Sequence, residues 1–133
     1  MSELETKQPV ILVVDDEPDV RFVLNAALSR RGYTVEEAHD GMMALEAVEK
    51  RIPDVIVLDL MMPKLDGHSV NMRLKENPKT AGIPVIVITG KGHLKELLEI
   101  REDLKVAAYI EKPFRIPTLL ECLDGILTKK TAV

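Results

Sequence analysis

The chain has 133 residues, a formal net charge of −4 and 46% hydrophobic residues, which suits one domain with a sizeable core and leaves little room for a second. Aromatics make up only 3% of the residues, so that core is aliphatic, and an acidic balance without a basic stripe argues against a direct nucleic-acid partner. The single Cys122 excludes an internal disulfide and suits a reducing compartment.

Residues 1–9 are polar and lack the apolar core of a signal peptide. No run approaches the roughly 20 apolar residues that cross a bilayer. The expectation is a cytoplasmic chain without a membrane partner: a flexible tail over 1–9, one domain over 10–128 and a short tail over 129–133. Lys129 and Lys130 read as cations complementing the last turn of a helix.

Val10-Ile11-Leu12-Val13-Val14 reads as a buried strand. Pro18 then suits a first helical position, Val20, Val23, Leu24, Ala27 and Leu28 share one face, and Gly32 closes the helix. Residues 33–38 alternate like a half-buried edge strand, with Tyr33, Val35 and Glu37 on one side. Asp40-Gly41 turns the chain into a helix over 42–51 that buries Ala44, Leu45 and Val48, and Pro53-Asp54 ends it. A third strand, Val55-Ile56-Val57-Leu58, leads to Asp59. A loop over 61–67 and a short helix over 69–76 follow, ended by Asn77-Pro78. Residues 83–88 form the fourth strand, and Gly90-Lys91-Gly92 connects to a helix carrying Leu94, Leu97, Leu98 and Leu104. The fifth strand spans 106–110, and Pro117 opens a last helix with Leu119, Leu120, Leu123, Ile126 and Leu127 inward.

Five β-α units without repeat or linker demand a parallel sheet with helices on both faces, because each crossover passes over the sheet. The expected fold is α/β: a doubly wound, flavodoxin-like, five-stranded parallel sheet of order 2-1-3-4-5 with five helices on both faces. Periodicity does not dictate that order. It follows from setting strands one and three side by side, so that Asp15, Asp16 and Asp59 share a pocket.

Each of Asp15-Asp16, Asp59, Thr89 and Lys112 sits just past a short apolar run, and ligand chemistry in open parallel sheets collects beyond the carboxyl ends of the strands. Carboxylates held close together repel, and a divalent cation with an oxygen preference relieves them. Magnesium fits best, with manganese as a substitute. His39, His68 and His93 lie in separate segments without metal-ligand spacing. A carboxylate can also attack phosphorus to form an acyl phosphate, and such transfer needs positioning and charge neutralisation above all. Asp59, ending the central strand, is the natural nucleophile, with Lys112 to neutralise phosphoryl oxygens and Thr89 to donate a hydrogen bond. Taken singly, these residues have plainer readings. Thr89 is a strand-end hydroxyl, Tyr109 a strand residue, Lys112 a surface lysine, and Asp15-Asp16 a helix cap ahead of Pro18. Asp54 and Asp66 flank turns and stay outside the site.

Val13-Val14-Asp15-Asp16-Glu17, Leu58-Asp59-Leu60-Met61-Met62-Pro63 with Asp66-Gly67, Ile88-Thr89-Gly90 and Tyr109-Ile110-Glu111-Lys112-Pro113-Phe114 resemble the signatures of response-regulator receiver domains of two-component signalling. The likeness covers about 10–127, with four motifs in order, each after a strand; a single-domain, chemotaxis-regulator-like receiver is the expected form. The resemblance implies a phosphorylation-activated switch and no enzyme beyond its own phosphoryl uptake and self-dephosphorylation. Asp59 would accept the phosphoryl group from a histidine kinase or histidine phosphotransfer protein. Asp16, Asp59 and the backbone carbonyl of Met61 would bind magnesium, and Asp15 would act through a water. Lys112 would bridge to the phosphoryl group after a cis bond to Pro113. Thr89 would move to it, and Tyr109 would swing inward as the aromatic switch.

The face made by the 91–105 helix, the fifth strand and the last helix would relay the state to a downstream protein, and could pair two phosphorylated copies. Met61 and Lys91, each two residues beyond a site residue, border the family's path for attacking water. Neither orients water, so slow self-dephosphorylation is expected. Ala107-Ala108 depart from the Gly-Ala-Asp-like stretch of many receivers. Three other readings stand beside this one. The first is a receiver cut from a longer response regulator or hybrid kinase. The second is a magnesium-dependent aspartyl phosphohydrolase, for which Met61 offers no second acid. The third is a flavin or nucleotide carrier, which lacks a Gly-rich phosphate loop after strand one.

Overall fold

Runs of Val, Ile and Leu covered on both faces by helices have no use for polar alternation, and three such runs form the centre of the sheet. The computed structural model describes residues 8–60, 67–90 and 106–131. In chain order the elements are β1 (Val10–Val14), α1 (Pro18–Arg30), β2 (Thr34–Ala38), α2 (Gly41–Lys50), β3 (Val55–Asp59), α3 (Gly67–Glu76), β4 (Val85–Thr89), β5 (Ala108–Glu111) and α4 (Ile116–Thr131). The strands pair in parallel in the order β2-β1-β3-β4-β5, the doubly wound arrangement expected from the sequence. The predicted helix over 91–105 and residues 61–66 of the predicted loop over 61–67 lie outside the described residues, which contain four helices.

Strand alternation splits the core in two. Ile11, Val13, Val55, Val57, Ile86 and Ile88 pack with Leu24 and Leu28 of α1 and Leu119 and Leu123 of α4. Leu12, Val14, Ile56, Leu58, Val85 and Val87 pack on the other face with Ala44 and Val48 of α2 and Val70 and Leu74 of α3. Each fully buried aliphatic side chain contributes about 1.5–3 kcal/mol of transfer free energy. β2 is an edge strand, as its alternation implies, with Tyr33 and Val35 on the α1/α4 face and Ala38 on the other. Glu36 pairs with Arg51 and Glu37 with Arg21, so the open edge carries charge.

Local chemistry sets the helix ends. Gly32 has φ +97°, the left-handed region where a side chain is strained. The Gly32 N–H donates to Ser29 O (3.0 Å) and the Tyr33 N–H to Leu28 O (3.1 Å), which satisfies the last carbonyls of α1. Asp40 accepts from the Met43 N–H at 2.8 Å and caps α2, a contact worth about 1 kcal/mol. Asp54 accepts from the Val10 N–H at 2.7 Å, at the sheet edge opposite the strand ends that carry Asp59 and Thr89.

Element ends differ from the sequence reading by one or two residues. β4 begins at Val85 because the Ile83 N–H turns back to Thr80 O and Pro84 has no N–H to enter the ladder. β5 runs Ala108–Glu111, α3 starts at Gly67, and α4 starts at Ile116 and carries its helical backbone through Lys129 and Lys130 to Thr131. No helix among the described residues is long and apolar enough to cross a membrane.

Candidate functional site

Parallel register lines up the carboxyl ends of the strands. Val14 pairs with Leu58, Asp59 with Ile88, and Thr89 with Glu111. The ladder continues one step past two strands: the Asp15 N–H donates to Ala38 O (3.1 Å) and the Lys112 N–H to Thr89 O (2.7 Å). Alternation then turns Asp15, Asp59 and Lys112 to the face that carries Val13, Val57 and Ile110, above α1. Thr89, like Val87, belongs by alternation to the α2/α3 face.

The Lys112 ammonium stands among three carboxylates. Its Nζ lies 3.2 Å from Glu17 Oε1, 3.3 Å from Asp15 Oδ2 and 3.4 Å from Asp59 Oδ2. Burial works against its charge, but the carboxylates of Asp59 and Asp15 and the hydrogen bond to Glu17 outweigh it and hold its pKa above the ordinary lysine value. Lys112 is therefore a permanent cation at neutral pH. The peptide bond from Lys112 to Pro113 is cis, as the resemblance implied.

Asp15, Asp16, Glu17 and Asp59 can each present an oxygen within 4.8 Å of the others. Asp15 and Asp59 are buried, whereas Glu17 is exposed. Four hard oxygen donors with no histidine or thiolate among them could hold a metal ion such as magnesium. Asp15 does not cap α1 in the way its position before Pro18 allowed. Its Oδ1 accepts from the Glu17 N–H at 2.9 Å, and Glu17 is the N-cap residue, without a side-chain cap bond.

The structure brings four of the sequence-selected residues together: Asp15, Asp16, Asp59 and Lys112. Thr89 is buried at the end of β4, one residue past Ile88, the ladder partner of Asp59. Tyr109 pairs with Val87 and is half-buried against the α2/α3 core. Met61 and Lys91 lie outside the described residues. His39 is exposed, with Nδ1 3.3 Å from Asp40 Oδ2.

Sequence reasoning missed three residues at this site. Glu17 stands in the motif Val13-Val14-Asp15-Asp16-Glu17, which carries no sign of its contact with Lys112. Arg21 donates through Nη1 to the Asp15 carbonyl oxygen at 2.7 Å and through Nε to Glu37 Oε1 at 3.2 Å, so it clips the acidic turn to β2. Gly67 opens α3 directly behind Asp59: a Cβ there would stand 2.3 Å from the Asp59 carbonyl oxygen. The Asp66-Gly67 pair was the only available signal for it, and that pair reads equally well as an ordinary turn.

Residues 11–124 match the family model of the response regulator receiver domain. The chain belongs to this family. Receiver domains are signalling switches that phosphorylation activates. The receiver is 34% identical over 121 residues to the DNA-binding dual master transcriptional regulator RpaA of Synechocystis, covering 91% of this chain and 50% of that one. It is 40% identical over 119 residues to the response regulator MprA of Mycobacterium ulcerans, covering 90% and 50%. The receiver thus spans about half the length of the curated relatives it matches. Its fold superposes on the chemotaxis protein CheY4 of Vibrio cholerae with a TM-score of 0.82 at 28% identity, covering 90% of this chain and 99% of that one.

Proposed function

We propose that Asp59 is the phosphoacceptor of this receiver and that a phosphohistidine on a histidine kinase or histidine phosphotransfer protein is the donor. The supporting observation is the convergence of the Lys112 ammonium and the Asp15, Asp16 and Glu17 carboxylates on Asp59, at the switch point between β1 and β3. A carboxylate oxygen of Asp59 attacks phosphorus, the P–N bond to the imidazole breaks, and the imidazole nitrogen leaves with the electron pair and takes a proton from solvent. Lys112 neutralises phosphoryl oxygens and Thr89 donates to one of them. Asp16, Asp59 and the Met61 carbonyl would hold magnesium, with Asp15 acting through a water; manganese could substitute. An ion held there would add positive charge to that of Lys112 in neutralising the phosphoryl oxygens. Intact-mass measurement after incubation with acetyl phosphate and magnesium tests the assignment. One phosphoryl adduct is expected on the wild type and none on Asp59→Asn. An adduct on both, or on neither, overturns it.

The phosphoryl group adds about −1.5 to −2 charge and three acceptor oxygens. Thr89 and Lys112 follow those acceptors, and Tyr109 turns inward behind Thr89. The output surface is the face built by residues 91–105, β5 and α4. A bias of roughly 1–3 kcal/mol suffices to change partner affinity. Equal affinity of a downstream partner for wild type and Asp59→Ala under phosphorylating conditions counts against this surface. The same face can pair two phosphorylated copies. Met61 and Lys91 offer no group that orients water, so the acyl phosphate lasts at least minutes; decay within seconds in magnesium refutes that tuning role.

A second reading rests on the half-length match to transcriptional regulators such as RpaA. The receiver then controls an output domain in the same native polypeptide rather than a separate target. The size of the protein detected in its own cells separates the two: about 15 kDa for a stand-alone switch, and roughly double for a regulator of the relatives' proportions.

A further inference from the structure

We propose that Glu17 is a positioning residue that restrains Lys112 in the unphosphorylated receiver and must release it for phosphoryl uptake; this rests on the reading of Asp59 as phosphoacceptor. An ammonium carries three hydrogens, and three carboxylates face Nζ of Lys112 at 3.2, 3.3 and 3.4 Å. All three distances exceed the roughly 2.7–2.9 Å of a committed charge-assisted bond, so the cation is shared. An incoming phosphoryl oxygen gains a donor only by displacing one of these partners.

The three partners differ in what their loss costs. Side-chain exposure is 2% at Asp15 and 3% at Asp59, against 60% at Glu17. Deserting Asp15 or Asp59 withdraws a neighbouring cation from a carboxylate that bulk solvent barely reaches, which is costly. A deserted Glu17 is rehydrated at once. Glu17 is therefore the partner that Lys112 exchanges for phosphoryl oxygen, and its grip stabilises the resting state against the phosphorylated one.

Beyond the acidic cluster it shares with Asp15, Asp16 and Asp59, the Glu17 side chain has little structural duty. It makes no cap bond to α1, and the contacts that hold the turn come from its backbone: the N–H to Asp15 Oδ1 and the carbonyl oxygen from the Arg21 N–H at 3.1 Å. Asp19 provides an internal control. It lies in the first turn of α1 and lines the same groove as Glu17 and Lys112, a cleft of about 650 Å³.

The test compares initial rates of phosphoryl adduct formation from acetyl phosphate at saturating magnesium for wild type, Glu17→Gln and Asp19→Asn, with thermal midpoints measured alongside. Because an exposed ion pair is modest in strength, Glu17→Gln should raise the rate about two- to fivefold with its midpoint little changed. Asp19→Asn, which removes an equal charge, should not. Equal rates for wild type and Glu17→Gln, a slower Glu17→Gln, or the same gain in Asp19→Asn, each overturns the restraint while leaving Asp59 as acceptor. A wild type that takes up no phosphoryl group removes both.

Discussion

The first residue of α3, Gly67, presses on the backbone of Asp59. A Cβ at Gly67 would lie 2.3 Å from the Asp59 carbonyl oxygen and 2.6 Å from the Cα of Leu60. Both are backbone atoms of the central strand and the residue after it, so neither can swing aside as a flexible side chain would. Gly67→Ala should destabilise the domain by about 1–3 kcal/mol, the usual cost of overpacking a filled site. It should also slow phosphoryl uptake, because the strand end that moves carries Asp59. Urea unfolding and acetyl phosphate kinetics on the same samples check this; an alanine variant of wild-type stability removes the close-approach argument.

Arg21 fixes the acidic turn without donating to any carboxylate of the pocket. Its two bonds, to the Asp15 carbonyl oxygen and to Glu37, tie that turn to β2. Asn25 Nδ2 supports Glu37 from the next turn of α1 at 2.7 Å. Loss of such outer contacts typically weakens metal affinity by about 10–100-fold. Arg21→Ala should therefore weaken magnesium binding by roughly tenfold in a calorimetric or NMR titration. An unchanged affinity assigns Arg21 to the β2 edge alone.

At the far end of the molecule, Tyr33 donates to Asp124, which also pairs with Arg31, joining the end of α1 to α4. Burial, with the hydrogen bond and charge of Asp124, pushes the Tyr33 pKa up to about 12 from 10.0. The folded state thus favours the neutral phenol. That contribution is fully present below pH 10 and is lost as pH rises towards about 12. On the acid side the hydrogen bond from Tyr33 lowers the Asp124 pKa, so its share is present above the ordinary carboxylate range and disappears on acidification. Lys112 also loses its proton at high pH, which makes Tyr33→Phe the proper comparison. The stability gap between wild type and Tyr33→Phe in chemical denaturation should hold from pH 6 to 9 and shrink between about 10 and 12. A gap independent of pH across that range contradicts the assignment.

β1, β3 and β4 could be read directly because each is a five-residue strand buried throughout, with at least its first four residues aliphatic; such a run has few other uses. β2 was legible as an edge from its alternation, and Gly32 as a helix stop from the need for positive φ. Parallel pairing then placed Asp15, Asp16, Asp59 and Lys112 at one rim, since each follows a run. These features belong to near neighbours along the chain, where side-chain period and backbone preference act without reference to the rest of the molecule.

Other relationships join residues too far apart for periodicity to record. Glu17 meets Lys112 across 95 positions, and Tyr33 meets Asp124 across 91. Gly67 needs its missing side chain only because α3 enters against β3 at that depth. Arg21 reaches a backbone carbonyl that no pattern of side chains advertises. Strand register, helix placement and depth of packing decide such contacts, and all three emerge only when the layers close on one another. The amino-acid order therefore specified which residues arrive at the rim, and the packed fold assigned each its partner there.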